Sequence, residues 1–243
     1  CSRVVFVRAG ATGANNGSSW ADAYTELQPA IDKAEEIFTT HGSNEIWAAA
    51  GTYRPTLAVN AADERTRTFE LSSSIVLLGG FGGSETTHKS RAPLGNETIL
   101  SGDINLSGNS TGNAYHVVVV SASQSPVMDG LIIELGNAES SCINCNEKEG
   151  GGLLNLGGSP RVFNTVFRDN QAVGNFGYGA AISNIGGTPT FLNVLVHDNE
   201  AHSGAVRNYN AEATFINCTI TNNTAAALTA GMMNTNATVS IYN

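Results

Sequence analysis

A unit of 24 to 29 residues recurs through the last third of the chain, and it limits the folds open to this sequence. Each copy opens on a small, Gly-containing stretch that ends in Asn: Gly151–Asn155, Gly179–Asn184, Gly204–Asn208 and Gly231–Asn234. The opening asparagines Asn155, Asn184, Asn208 and Asn234 are 29, 24 and 26 residues apart. A short apolar run with its own Asn follows, at Phe163-Asn164, Phe191-Leu192-Asn193 and Phe215-Ile216-Asn217, and a third Asn closes the unit at Asn170, Asn199 and Asn223. Short β-branched runs at this period, without helical spacing, point to an all-β solenoid, a right-handed parallel β-helix.

Alternation then sorts the side chains. Phe163, Thr165 and Phe167 share one face, as do Leu192, Val194 and Val196, and Ile216, Cys218 and Ile220. These rows are expected to point inward and stack like on like, because parallel neighbours lie about 4.8 Å apart. The Asn rows are expected at bends. Asn tolerates left-handed backbone, and its amide can bond the copies above and below.

The first half is less regular. Val4–Val7 reads as a strand, and a helix follows, opening on a capping box of Thr25 with Gln28. Leu27, Ile31, Ala34 and Phe38 form its apolar face and Gly42 ends it. Such a helix would cover the first strands of the stack and blunt their edges. Residues 1–44 thus form a capped start, 45–149 irregular turns, and 150–243 regular repeats of one domain. Long polar loops are expected at 54–67, 84–97, 103–113 and 138–149. Gly79-Gly80-Phe81-Gly82-Gly83 lacks the Lys-Ser/Thr of a phosphate loop and reads as a turn.

Net charge is −9 with three lysines, which argues against nucleic acid and anionic membrane surfaces as partners. No apolar run is long enough to span a bilayer. Few lysines and a surface rich in Asn and Thr suggest an exported protein. Cys1 is a lipidation candidate, since processed bacterial lipoproteins begin with Cys. Cys142 and Cys145 are a disulfide candidate, and Cys218 is expected to be a buried, inert thiol. No His or Cys spacing suits a metal, and no cofactor is implied.

Arg168 and His197 occupy equivalent places in adjacent units, with Asp169 and Asp198 beside them. This surface patch is the chain's candidate for acid–base chemistry on a polysaccharide, by a lyase or a hydrolase. In the next unit Thr221 and Asn222 stand there instead, so the repeat itself accounts for the pairing without chemistry. Two stacked carboxylates are also a thin site for Ca²⁺.

The units resemble those of bacterial surface right-handed β-helix proteins, the group that includes the chlamydial polymorphic outer membrane proteins. Their GGA(I/L/V) repeat is matched by Gly179-Ala180-Ala181-Ile182 and by Ser203-Gly204-Ala205-Val206. Their FxxN repeat is matched by Phe167-Arg168-Asp169-Asn170, with Val196–Asn199 and Ile220–Asn223 as degenerate copies. The resemblance implies an extracellular or outer-surface protein of a bacterium, in a group that serves adhesion, display and passenger roles and whose relatives include proteins acting on polysaccharides. The repeat and the missing catalytic set favour a non-enzymatic scaffold or adhesin that presents loops to a glycan or a surface protein. The last unit stops at Asn243 without a polar cap, which suggests self-association end to end, as in a filament.

Overall fold

The computed structural model describes residues 3–42, 44–106, 108–140 and 145–243. Apart from one α-helix and short 3₁₀ turns, the described structure is β, and every pairing between its strands is parallel. An eight-stranded sheet runs from Arg3–Val7 through Asn44–Ala49, Val76–Phe81, Val127–Asp129, Arg161–Phe163, Thr190–Leu192 and Glu212–Ile216 to Thr238–Tyr242. A second sheet has six strands, from Gly51–Tyr53 to Thr219–Thr221, and a third has six, from Phe69–Glu70 to Met232–Thr235. A narrow sheet pairs Gln171–Ala172, Glu200–Ala201 and Thr224–Ala225. The chain visits first, second and third sheets in one cyclic order. Each circuit therefore lays one strand beside its predecessor in every sheet.

Corners between sheets are built from left-handed backbone. Between first and second sheets the positive φ falls on Gly130, Asn164, Asn193 and Asn217; after the second sheet it falls on Leu135, Asp169, Asp198 and Asn222. Before the third sheet it falls on Gly150, Gly179 and Gly204, and after it on Gly157, Gly186, Asn210 and Asn236. Gly, Asn and Asp occupy nearly all these positions because they adopt αL at least cost. This explains the composition.

The corners also correct the expected inward rows. Val162, Phe191 and Phe215 are buried, whereas Phe163, Leu192 and Ile216 lie half-exposed on the outer face. Strict alternation fails because the left-handed Asn uses one extra residue, so inward positions jump from 162 to 165. Beyond the corner the expected pattern holds for Thr165, Phe167, Val194 and Val196. Only one Asn row is itself left-handed. Asn155, Asn184 and Asn208 lie inside strands, and Asn170, Asn199 and Asn223 directly follow the left-handed residue.

The helix spans Leu27–His41 and packs on the first two strands of the eight-stranded sheet. Leu27, Ala30, Ile31, Ala34 and Ile37 are buried, while Phe38 faces solvent. Thr25 does not cap it. The Thr25 N–H donates to Asn15 Oδ1 at 2.9 Å, Gln28 reaches forward to Asp32 Oδ1 at 2.9 Å, and Glu26 occupies the N-cap. Gly42, with φ of 73°, closes the last turn onto the Phe38 carbonyl. Outside the same sheet, Trp47 stacks on Phe81 at 4.8 Å with Phe6 and Trp20 edging the pair. Gly79, Gly80 and Phe81 belong to this strand rather than to a turn. A Cβ on Gly79 would collide with the Gly130 carbonyl of the next circuit.

Candidate functional site

Three asparagine ladders tie successive circuits together. In the third sheet Asn155, Asn184, Asn208 and Asn234 are in register, and each Nδ2 donates to the next Oδ1, at 3.3, 2.8 and 2.8 Å. At the second-sheet corner Asn170 and Asn199 are buried. Asn199 Oδ1 accepts from the Asn170 N–H and from Asn170 Nδ2, both at 3.0 Å, and Asn223 Oδ1 does the same for Asn199 at 3.0 and 2.9 Å. The outer ladder runs the other way. Asn217 donates to Asn193 at 2.6 Å, Asn193 to Asn164 at 3.2 Å, and Asn164 to the carboxylate of Asp129 at 2.8 Å.

Arg168 and His197 are register partners on adjacent strands, as their spacing predicts. Arg168 Nε donates to Glu134 Oε2 at 2.8 Å, one circuit earlier, and lies 3.9 Å from Asp169. This neighbouring charge holds the guanidinium above its ordinary pKa against the opposing effect of burial. His197 Nδ1 contacts Asp198 Oδ2 at 2.6 Å, and Asn222 donates to the other oxygen of Asp198. The His197 bond comes first among the causes that lower the Asp198 pKa. The groups of the patch thus bind one another and their register neighbours. Sequence reasoning missed Glu134, because the circuit that carries it lacks the Asn spacing that aligns the later units.

Asp169 and Asp198 form one wall of a cleft of about 370 Å³, with Gln171 and Glu200 on the narrow sheet. Asp103, Asn109, Ser110 and Asn113 of the loop after Thr98–Ser101 form the opposite wall. A second groove, about 690 Å³, lies along the outer ladder. Asn164 and Asn193 line it with Val166, Leu195, Pro93, His88, Lys89 and the fully exposed Leu94.

Comparison with known proteins finds no matching family model, no matching curated protein and no matching solved structure. The chemistry of this chain therefore rests on its own residues. Three arginines staple the long loops, Arg54 and Arg65 to other connecting segments and Arg91 to strands of the stack. Arg65 donates to the carbonyls of Asn113, Glu139 and Asn137 at 2.8, 3.1 and 2.7 Å, and lies 4.0 Å over the Tyr115 ring. Arg54 donates to the Asp103 carbonyl at 2.8 Å. Arg91 donates to the carbonyls of Gly79 and Asp129, at 3.3 and 3.1 Å, and pairs with the Asp129 carboxylate. The guanidinium fork reaches several acceptors at once, which a lysine cannot do.

Cys145 is disulfide-bonded, while Cys142 and Cys1 lie outside the described residues. Cys218 is half-buried rather than fully enclosed. Burial raises its thiol pKa, and the sulfur faces the Ile216 and Phe191 carbonyls. Among the described residues, no three His, Cys, Asp or Glu side chains converge as a metal set, and no helix is long and apolar enough to cross a membrane.

Proposed function

We propose that the chain is a right-handed parallel β-helix from the outer surface of a bacterium, a non-enzymatic scaffold or adhesin whose loops contact a glycan. The stapling of those loops carries this reading. Arg65 fixes the 54–67 loop across several carbonyls of later segments, and Arg91 fixes the 84–97 loop to two strands of the eight-stranded sheet. A loop held this way is preorganised, so a partner does not have to order it on binding. The 690 Å³ groove suits a sugar chain. Val166, Leu195 and Leu94 offer apolar surface to ring faces, and the amides of Asn164 and Asn193 face ring hydroxyls. His88 and Lys89 favour an acidic glycan over a neutral one.

The test is binding of the purified chain to an array of acidic and neutral glycans. Saturable binding to acidic glycans is expected, reduced at least tenfold by Leu94→Asp and by Lys89→Glu. Absence of binding across the array overturns the reading. So does polysaccharide cleavage abolished by Arg168→Ala or His197→Ala, which would make the patch catalytic.

A further inference from the structure

The lining of the 370 Å³ cleft is rich in oxygen acceptors. It includes Asp103, Asp169, Asp198 and Glu200 and no Lys, Arg or His. Asp103 Oδ1 and Asn113 Oδ1 are shielded from solvent and accept no hydrogen bond. Asn113 is only 3% exposed, and its amide orientation is fixed because Nδ2 donates to the Leu135 carbonyl at 2.7 Å. Directly behind it Asn137, 1% exposed, repeats the arrangement. Its Nδ2 donates to the Ser110 carbonyl at 2.9 Å, and its Oδ1 is again without a donor. Main-chain bonds hold these residues in one corner: Ala114 N–H to Gly102 at 2.9 Å, and Asn137 N–H to Ala114 at 2.8 Å. Arg54 and Arg65 bind main-chain carbonyls of Asp103, Asn113 and Asn137, and neither reaches the side-chain oxygens.

Leaving a buried acceptor unpaired costs about 1–3 kcal/mol. Three of the seven buried, unpaired side-chain N and O atoms among the described residues gather in this one corner, which points to a common polar partner there. We propose that this corner binds Ca²⁺, with Asp103 and Asn113 as ligands from the loop and the cleft carboxylates neutralising its charge. Oxygen-only donors, amide oxygens among them, match the preference of a hard cation that accepts irregular coordination. Mg²⁺ demands a near-ideal octahedron and sheds water reluctantly. The ligand set is not a carboxylate cage, in keeping with the lack of three converging acidic side chains among the described residues. The site is separate from the groove along the outer ladder, so it stands or falls independently of glycan binding.

Titration of the chelator-treated chain with CaCl₂, followed by calorimetry and by Tb³⁺ luminescence, tests this. One saturable ion per chain is expected, with Kd near ~10⁻⁴ M, the range of extracellular modules. In 10 mM CaCl₂ the melting temperature should rise by roughly 5 °C over MgCl₂ at equal ionic strength. Asp103→Asn should weaken binding at least tenfold, while Glu212→Gln, an exposed strand carboxylate, should leave it unchanged. Should Asp103→Asn fail to fold, the Ca²⁺-over-Mg²⁺ shift of the unaltered chain decides. No saturable binding below ~10 mM, equal shifts with both ions, or equal losses in both variants would show that the corner holds only water.

Discussion

Leu135, Asp169, Asp198 and Asn222 share one corner and one backbone handedness, with φ between 53° and 60°. Leucine is the poor fit of the four, since αL costs a residue with a bulky side chain roughly 1–2 kcal/mol. His116 is unusual in a different way. It is buried, its Nδ1–H donates to the Gly150 carbonyl at 3.1 Å, and burial pushes its pKa down from 6.5 to about 4. The folded chain keeps it neutral, whereas the unfolded chain protonates it below pH 6.5. Its contribution is therefore complete above that pH and is lost as pH falls toward 4. Between pH 7 and 5 the loss should be about 2 kcal/mol. In urea unfolding at the two pH values, His116→Asn, which retains a donor for Gly150, should shrink the pH dependence by that amount. An unchanged dependence would mean that His116 is not the group responsible.

Among the elements, the strands were easier to foresee than the corners. Periodic Asn residues and apolar runs marked the later strands, and Gly42 marked the end of the helix. The inward face of the first-sheet strands was not legible, because a left-handed corner shifts parity and alternation cannot register it. The capping box misled for a similar reason. Thr25 and Gln28 have the right spacing, yet Asn15, ten residues earlier, holds the Thr25 N–H. The cleft was half visible: Asp169 and Asp198 stood in equivalent positions, but Asp103 and Asn113 belong to a loop with no repeat to align it. Stapling belongs to this scale as well. Arg65→Lys should cost about 2–3 kcal/mol, since a lysine replaces few of three charge-assisted bonds. Amide exchange should quicken in residues 103–114 and not in the Leu195–His197 strand. Uniform exchange across both would mean that the loop holds itself.

Across the whole molecule, each circuit leans on the one before and the one after. Phe191 and Phe215 stack across that boundary, 4.8 Å apart and 11° from parallel, in the same core as Phe69. Coupling should follow proximity in the stack. In urea unfolding, Phe191→Leu with Phe215→Leu should show an interaction energy of about 0.5–1.5 kcal/mol. Phe69→Leu with Phe215→Leu should add within roughly 0.5 kcal/mol. Equal coupling in both pairs would mean that the core responds as one body rather than circuit by circuit.

The asparagine spacing has a consequence for how such a chain can lengthen. From Asn155 to Asn164, Asn184 to Asn193 and Asn208 to Asn217 is always 9 residues, and from those on to Asn170, Asn199 and Asn223 always 6. The return to the next unit takes 14, 9 or 11. Within the regular units the variation in length is thus gathered on one edge, where the segments between 53 and 69, 101 and 118, and 134 and 153 also run, while the 84–97 loop enters at the corner between the first and second sheets. Elsewhere in the regular units a single added residue would break an amide row. A gene for this chain can acquire new loops along that edge, or duplicate a complete unit, without disturbing the interior it already has.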